Sequence, residues 1–304
     1  MTNFTITLMN RDGAIPQIGD NDSGRVFQIL PSQKIDNRAF VNLVYSLCLN
    51  KIKYNTAFNN ENILFIDNSE FEETTSFDEF FFEHAKISVK NFGDFKLFFT
   101  AMDVERNRMG AHAHNDLLSF ELWCQDEPMI VDLGTGSYTG NTKLRNFLRS
   151  TGNHSCVCVD CKEQREFHES NVFKFKNINN LSTKIYHKEK FIYGELYNQK
   201  ELLQRRSVSY DVGKLRIDDE QLGEFKQLSC SLCLAPDVTI IETKTGVKLK
   251  KGNVLFNIEG TWEFSVADTL YSPGYDLLCQ TKKIVLKSNQ ARNTLTFFIN
   301  RQEY

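Results

Sequence analysis

The sequence has little proline, no low-complexity segment and no long apolar run. Only 5 of its 304 residues are proline, whereas 25 are phenylalanine. A chain this rich in large apolar side chains is expected to fold around a packed core rather than to remain disordered. No apolar run approaches the roughly 20 residues that cross a bilayer, so no membrane span is predicted.

A strong charge of one sign and an export signal are also lacking. The formal net charge is −3, which excludes the overall basic field that attracts nucleic acid. Any hold on an anionic ligand must therefore be local. The N-terminal stretch MTNFTITLMNRDG lacks the pattern of a secretory signal, and the eight cysteines are accordingly expected to be free, buried thiols. Localisation stays open, because the lack of a signal excludes neither a periplasmic nor a cytoplasmic protein if the natural N-terminus lies upstream.

One helix is predicted near the N-terminus. Turn-forming residues fill PQIGDNDSGRVFQI (Pro16–Ile29), so residues 1–30 are expected to be irregular. A helix is predicted over Asp36–Ile52, since Asp36 suits an N-cap and apolar residues follow at three-to-four residue spacing. Residues Thr75–Ile87 are ambiguous. A single helix in this position predicts that residues 1–52 are the remnant of a helical region that is mostly missing.

From about Phe81 the apolar period shifts to two residues, which is typical of strands. AKISVKNFGDFKLFFTAMD is expected to form two strands around a Gly93-Asp94 turn. Further strands are predicted at Leu117–Cys124, Met129–Asp132, Ser155–Asp160, Lys184–Tyr197, Ser207–Val212, Lys226–Leu234, Val238–Glu242, Val254–Ile258, Lys283–Lys287 and Thr294–Ile299. Many closely spaced strands and few helices indicate that residues 53–304 are mainly β and form a large antiparallel β-sandwich.

Two histidines, His112 and His114, stand one residue apart in GAHAHNDLLSFELW. If Ala111–Leu118 is extended, both imidazoles lie on one face, about 7 Å apart. One metal ion could then take both, or one imidazole could bind metal while the other faces a substrate. Two surface or hydrogen-bonded histidines are the alternative interpretation.

An acid and a third histidine follow this pair. Asp132 ends the apolar stretch MIVD in front of two glycines, and His154 directly precedes the predicted strand SCVCVD. Two imidazoles and one carboxylate form a three-ligand set that is typical of zinc with an open fourth position, and manganese or calcium would also fit. The sequence therefore predicts a divalent metal site.

Cysteines offer a rival metal site. Cys156, Cys158 and Cys161 form CVCVDC, and Cys230 and Cys233 form CSLC. A thiolate zinc site normally needs two knuckle turns, whereas CSLC lies in a predicted strand. We therefore interpret the first two cysteines of CVCVDC as small apolar fillers.

Positive charge clusters just before His154, in NTKLRNFLRSTGNH. A helical turn would place Arg145 and Arg149 on one face, at positions i and i+4. Guanidinium groups match the geometry of carboxylates and sulfates, so these two arginines are candidates for binding an acidic substrate. A solvated loop face is the alternative.

The block from Gly110 to Asp160 resembles the signature of the heparinase II/III-like proteins. These are polysaccharide lyases and relatives in which an α/α toroid precedes an antiparallel β-sandwich. PQIGDNDSGR resembles the end of their helical domain, and YSPGYD (Tyr271–Asp276) resembles a turn late in their sandwich. One departure is Ser155-Cys156, which stands where the family usually has Asn and Thr. A second departure is the toroid, which the sequence lacks.

The resemblance implies roles for individual residues. His114, Asp132 and His154 fall on the metal ligands of the family, and His112 falls on the histidine that reaches the substrate. Arg149 lies in the loop that leads to the third ligand. The absent toroid supplies the tyrosine and asparagine that elimination usually needs, so the chain is expected to be incomplete as an enzyme by itself.

The implied activity is β-elimination on an acidic, uronic-acid-containing polysaccharide. His112 would serve as the base or as the group that neutralises the uronate carboxylate, and the metal would be mainly structural. A non-catalytic carbohydrate-binding or assembly domain with a structural metal is one alternative. A cupin-like metal enzyme is another, but Leu117 and Leu118 occupy the places where a cupin carries an acidic ligand.

Overall fold

The structure, a computed structural model, describes residues 2–21, 36–49, 51–54, 70–71, 79–104, 110–176 and 180–299. The chain divides into two units, one within residues 1–16 and 23–80 and the other within residues 17–22 and 81–304. The first unit thus extends beyond residue 52, where the sequence analysis placed the domain boundary. In the described residues no helix is long and apolar enough to span a membrane.

In its described residues, the first unit contains two helices and a short parallel strand pair. Helix α1 covers Thr2–Leu8 and α2 covers Asn37–Leu49, while β1 (Lys51–Ile52) pairs with β2 (Glu70–Phe71). Helix α2 confirms the predicted helix, although it ends before Ile52. The expectation of an irregular start was wrong for α1.

Packing explains why α1 forms despite its β-branched sequence, TNFTITL. Ile6 and Met9 share a small buried cluster with Val41 of α2. The Oγ1 of Thr7 donates to the Asn3 carbonyl at 2.8 Å, so this hydroxyl is satisfied within the helix. Tertiary contacts therefore override the weak local helix propensity.

The described part of the second unit is built from antiparallel strands and one further α-helix, α3 (Thr142–Leu148). Its strands, with β3 at the division between the two units, are β3 (Glu79–Phe82), β4 (Ile87–Phe92), β5 (Phe95–Thr100), β6 (Ser119–Cys124), β7 (Glu127–Ile130), β8 (Cys158–Val159), β9 (Leu181–Lys188), β10 (Phe191–Asn198), β11 (Glu201–Asp211), β12 (Lys214–Gln221), β13 (Leu228–Cys233), β14 (Thr239–Glu242), β15 (Gly246–Lys251), β16 (Val254–Gly260), β17 (Glu263–Gly274), β18 (Leu277–Ser288) and β19 (Arg292–Phe298).

These strands form three sheets. The first has the order β3-β4-β5-β6-β7, the second β17-β18-β13-β8, and the third β14-β15-β16-β19-β12-β11-β10-β9. Their inner faces share one large apolar cluster, in which Leu97, Leu122, Leu232, Phe256 and Phe297 have no exposed surface. Sheets that bury a common apolar layer form a sandwich. The predicted mainly β, antiparallel sandwich is therefore confirmed.

The structure corrects several predicted strands. Lys184–Tyr197 is a hairpin of β9 and β10, not one strand. The segment Met129–Asp132 leaves the sheet after Ile130, and Ser155–Asp160 is paired only at Cys158–Val159. Strands β12, β15 and β17 were not predicted. In β12 (KLRIDDEQ) the buried Leu215 and Ile217 alternate with charged residues of the solvent face. With only these two apolar residues, the segment did not show the alternating pattern clearly enough to be predicted as a strand.

A buried ion pair crosses from β11 to β12 and extends to two loops. Arg206 and Asp219 are direct partners in the register, with side chains 1% and 4% exposed. The guanidinium donates to both carboxylate oxygens of Asp219, at 2.6 and 2.9 Å. Its Nη1 also donates to the carbonyls of Leu118, at 2.7 Å, and of Ser155. One side chain therefore ties the sheet to two loops that are far apart in sequence.

Replacing Arg206 with methionine should lower the free energy of unfolding by about 3–5 kcal/mol, because Asp219 would remain buried without a cation. Adding Asp219→Leu should recover part of this loss, since neither charge then remains. Urea denaturation measures the effect. Arg216→Met, which breaks an exposed pair with Asp218, is the control and should cost less than about 1 kcal/mol. Equal losses from Arg206→Met and Arg216→Met would contradict this account.

Candidate metal centre

His112 and His114 lie in a loop and not in a strand. Ala113 N–H donates to the Gly110 carbonyl at 3.1 Å, and Leu118 has a left-handed backbone with φ of 63°. The expectation of an extended segment over Ala111–Leu118 was therefore wrong. The His112 side chain is 67% exposed and that of His114 is 0% exposed, so the two imidazoles face different surroundings.

The loop brings His114 to Asp132 and His154, and all three side chains are buried. One ligand atom of each lies within 4.8 Å of the other two. His154 Nδ1 is 2.8 Å from Asp132 Oδ2, and His114 Nδ1 is 4.0 Å from Asp132 Oδ1. These separations approach those of ligands that share one ion at about 2.0–2.2 Å.

Two buried nitrogen atoms of this cluster have no hydrogen-bond partner, namely His114 Nδ1 and His154 Nε2. A buried polar atom without a partner destabilises the fold. A metal ion bound to a ring nitrogen of His114 or His154 would offset that cost. The donor set of two imidazoles and one carboxylate also suits a divalent ion such as zinc. The residues present therefore fit a metal site.

The cysteine alternative finds no support. Within the described part of the chain, which contains all eight cysteines, His114, Asp132 and His154 are the only group of three or more candidate ligands. Cys156 and Cys158 are buried, as expected of apolar fillers. Cys48 and Cys161 are exposed and Cys279 is half-buried, so the expectation of buried thiols was wrong for these three. Burial raises the pKa of Cys230 and Cys233 to about 12.

Asp132 is aimed into the cluster by the turn that follows β7. Its Oδ1 accepts the Gly134 N–H at 2.7 Å. Gly134 has φ of 79°, and a Cβ there would lie 2.3 Å from the Ser272 carbonyl oxygen. Only glycine fits such a left-handed, crowded position without strain. The glycine after the strand end therefore determines where the carboxylate points.

Asn115 links the His114 loop to the His154 loop. Its amide donates to Glu163 Oε2 at 2.7 Å and to the Arg165 carbonyl at 2.9 Å. The same Glu163 oxygen accepts from Thr151 N at 2.8 Å and from Thr151 Oγ1 at 2.9 Å. Thr151 begins the 3₁₀ turn Thr151–Asn153 that ends at His154. Sequence reasoning missed this network, because its members lie in separate loops.

Asp20 was also missed, although it lies between the two imidazoles. Its fully buried carboxylate is 3.1 Å from His114 Nε2 through Oδ1 and 3.2 Å from His112 Nδ1 through Oδ2. Asp20 N–H also donates to the His112 carbonyl at 3.0 Å. This close approach requires Gly19, where φ is 67° and a Cβ would lie 2.6 Å from that carbonyl oxygen. The turn-rich stretch around Asp20 was the available sequence signal.

The two arginines lie at α3, and neither is exposed. Arg145 is in the helix and Arg149 is its C-cap, so the predicted i, i+4 placement is confirmed. Arg145 donates to Asp20 Oδ2 at 2.5 Å and to the Ala111 carbonyl at 2.9 Å. The Arg149 guanidinium lies 4.6 Å from the centroid of the Phe167 ring and 4.8 Å from that of the Phe175 ring. The alternative of a solvated loop face was therefore wrong.

Opposite charges set the protonation of the cluster. Burial raises the pKa of Asp132, but the charge and hydrogen bond of His154, the charge of His114 and the Gly134 hydrogen bond together outweigh burial, so the net pKa lies below its usual value. Burial lowers the pKa of His154, but Asp132 outweighs it and the net pKa lies above the usual value. When no ion is present, both shifts favour an imidazolium at His154 and a carboxylate at Asp132.

The raised pKa of His154 predicts a pH dependence of stability in chelator-treated protein. The contribution of the imidazolium is present below about pH 6.5, the ordinary histidine value, and is lost as pH rises through the raised pKa. Wild-type stability should therefore fall more steeply than that of His154→Gln as the pH rises above about 6.5, by at most about 1.4 kcal/mol per pH unit.

Urea unfolding at each pH measures this difference. Burial raises the pKa of Glu121 well above its usual value. Stability therefore also falls with rising pH because of Glu121, but it does so in both wild type and His154→Gln, so the difference between their curves is unaffected. His168→Gln is the control, because His168 bonds to Ser170 in its own loop, outside the cluster. Parallel curves for wild type and His154→Gln would contradict the ion pair.

The sandwich has counterparts among known proteins. A family model described as Heparinase II/III-like, C-terminal, matches residues 74–298. The chain is similar to the solved heparan sulfate lyase HepC from Pedobacter heparinus, with a TM-score of 0.66 and 16% identity over 98% of this chain and 46% of that one. A heparinase III with methylated lysines has a TM-score of 0.68 and 16% identity, over 98% and 45%.

No curated protein matches the chain. At 15–16% identity, the likeness to the solved structures shows the fold alone. The chain spans less than half of the length of these structures.

Proposed function

This chain belongs to the heparinase II/III-like C-terminal family, and from that membership we propose that it is the sandwich part of a polysaccharide lyase. The observation that carries the proposal is His112. Its exposed imidazole stands beside the buried cluster and is hydrogen-bonded to Asp20 at 3.2 Å. An oriented, solvent-facing imidazole is the group that proton transfer to or from a sugar requires.

The proposed reaction is β-elimination at a uronic acid. The proton next to the uronate carboxylate becomes acidic only when that carboxylate is neutralised by hydrogen bonds or charge. A base then removes the proton, and an acid protonates the leaving oxygen. With Nδ1 bound to Asp20, the free Nε2 of His112 can either take the proton or donate to the carboxylate.

Aromatic rings border the proposed proton-transfer position. Tyr138 and Phe173 lie 6.3 and 6.2 Å from the His112 ring, and Tyr275 lies 5.3 Å from Tyr138. Sugar rings pack well against such faces, and the tyrosine hydroxyls add polar groups. This surface supports a saccharide, rather than a small acid, as the substrate.

We propose His114, Asp132 and His154 as ligands of a divalent ion, most simply zinc. The ion would link three chain segments and so fix the orientation of the neighbouring His112. Elimination needs no activated water, and the cluster is buried, which supports a structural ion. In this proposal, side chains of the protein, and not the ion, bind the substrate and transfer the protons.

The proposed roles of Arg145 and Arg149 in substrate binding follow from their charge. Both guanidinium groups are buried, and Arg145 is bonded to Asp20 and to backbone carbonyls. They would therefore favour an acidic substrate through their electrostatic field rather than by direct contact. The structural neighbours are a heparan sulfate lyase and a heparinase III, which supports an acidic, uronate-containing polysaccharide.

A toroid domain is the proposed partner within the whole protein, since the chain covers only 45–46% of its structural neighbours. A non-catalytic carbohydrate-binding domain is the second candidate, and the burial of the metal cluster favours it. Ultraviolet absorbance of unsaturated uronate, with and without a toroid partner, separates the two. Release of unsaturated product with the partner supports the lyase, whereas binding without product supports the alternative.

Replacing His114 or Asp132 with alanine should reduce both the zinc content of the protein and its melting temperature, because each change removes one of three ligands. Elemental analysis and thermal denaturation measure the two effects. His168→Ala, a histidine outside the cluster, is the control and should leave both values unchanged. Full zinc content in either variant would refute the ligand set.

Replacing His112 with alanine should preserve folding and zinc content but reduce lyase activity at least about 100-fold in the full-length enzyme. The reason is that the exposed imidazole transfers protons in the proposed reaction and does not pack in the core. Initial rates of unsaturated uronate formation measure the loss, again with His168→Ala as the control. Normal turnover by His112→Ala would end the catalytic assignment.

A further inference from the structure

Asp20 contacts both imidazoles of the His-x-His pair, and we propose that it is a positioning residue that selects the tautomers of His112 and His114 together. The inference rests on the proposed function only for its catalytic consequence. Its structural content concerns which ring nitrogen carries the hydrogen in each histidine. One carboxylate would thereby prepare one imidazole for metal binding and the other for proton transfer.

The geometry places the ring hydrogen on a different nitrogen in each of the two histidines. Asp20 Oδ1 faces His114 Nε2 at 3.1 Å, whereas Oδ2 faces His112 Nδ1 at 3.2 Å. An ionised carboxylate only accepts hydrogen bonds. His114 must therefore carry its hydrogen on Nε2, and His112 must carry its hydrogen on Nδ1.

Arg145 holds the Asp20 carboxylate in place. Its Nη2 donates to Asp20 Oδ2 at 2.5 Å, and both side chains are 0% exposed. The same Nη2 donates to the Ala111 carbonyl at 2.9 Å, next to His112 in the chain. The Asp20 backbone N–H bonds to the His112 carbonyl. These contacts leave the carboxylate little freedom to turn.

The consequence for His114 is a free lone pair on Nδ1. That atom is buried, has no hydrogen-bond partner, and lies 4.0 Å from Asp132 Oδ1 in the candidate metal cluster. Only an unprotonated nitrogen can bind a metal ion. A carboxylate that bonds to the opposite nitrogen of a metal-binding histidine also increases its basicity as a ligand.

The consequence for His112 is a free lone pair on Nε2. With Nδ1–H directed at the buried Asp20, Nε2 is the nitrogen left for a substrate on a side chain that is 67% exposed. This is the arrangement in which a carboxylate orients an imidazole and stabilises the imidazolium that forms when it takes a proton. Asp20 acts on the proton transfer through His112 and does not itself need to touch the substrate.

Asp20→Asn gives a sharp test, because Arg145 determines how the new amide turns. Arg145 and His112 both require an acceptor at the Oδ2 position, so the amide oxygen should remain there. The NH₂ group then replaces Oδ1 and faces His114 Nε2 as a donor. His114 can accept that bond only in the tautomer with the hydrogen on Nδ1, which removes the lone pair for metal.

The experiment uses the full chain, ¹⁵N-labelled at histidine and freed of metal, in alkaline buffer. Long-range ¹H–¹⁵N spectra report the tautomer of each ring. Wild type should show His114 with hydrogen on Nε2 and His112 with hydrogen on Nδ1. Asp20→Asn should switch His114 to the Nδ1–H form, leave His112 unchanged, and weaken Zn²⁺ binding about 10–100-fold in chelator competition.

Two further variants complete the test. Asp20→Glu keeps a carboxylate and should retain the wild-type tautomers, with Zn²⁺ affinity closer to wild type than that of Asp20→Asn. Asp103→Asn removes a carboxylate that pairs with Lys86 and Thr183, outside the cluster, and should change neither tautomers nor Zn²⁺ affinity. This control separates tautomer selection from the general loss of an ion pair.

Unchanged tautomers and Zn²⁺ affinity in Asp20→Asn would overturn the inference. If Asp20→Asn does not fold, wild type still decides, because an Nδ1–H tautomer at His114 would overturn it equally. These readouts need no lyase activity. A protein without lyase activity that shows the expected tautomers refutes only the proposed function, whereas an active lyase with the opposite tautomers refutes only the role of Asp20.

Discussion

The buried guanidinium of Arg206 is the contact on which the arrangement of the site depends. It is fixed to β12 through Asp219 and donates to the carbonyls of Leu118 and Ser155. The first carbonyl ends the loop that carries His114, and the second directly follows His154. Two loops that supply neighbouring groups of the candidate centre are therefore bonded to the same side chain of the third sheet. A charge buried in this way is stable only with its full set of acceptors, so the loops and the pair depend on each other.

Local patterns were sufficient where the structure depends on local contacts. The Gly93-Asp94 hairpin was predicted from alternating apolar residues and two turn formers, and β4 and β5 pair in that register. The loop around His114 was mistaken for a strand, because Asn115 bonds to Glu163 and Arg165, about 50 residues away. Such a long-range contact leaves no periodic pattern of apolar residues in the sequence.

The same limit applies to the site. The convergence of His114, Asp132 and His154 was expected from the combination of residue types and from the family resemblance. Asp20 was not, since it lies 92 positions before His112 in a stretch whose turn formers explain its composition without any site. A carboxylate that supports a site through hydrogen bonds leaves no spacing signature, whereas ligands at strand ends and turns do.

The two adjacent histidines show how burial separates roles that sequence leaves equivalent. Loop geometry places His114 among carboxylates and His112 at the surface, although only one residue lies between them. When no ion is present, the raised pKa of His154 and the lowered pKa of Asp132 favour opposite charges on these two side chains, which compensate each other. The ion is then not needed to bring the carboxylate inside. It follows that the loop positions are set by the surrounding hydrogen bonds, and that an ion would act by stiffening an arrangement that the chain has already formed.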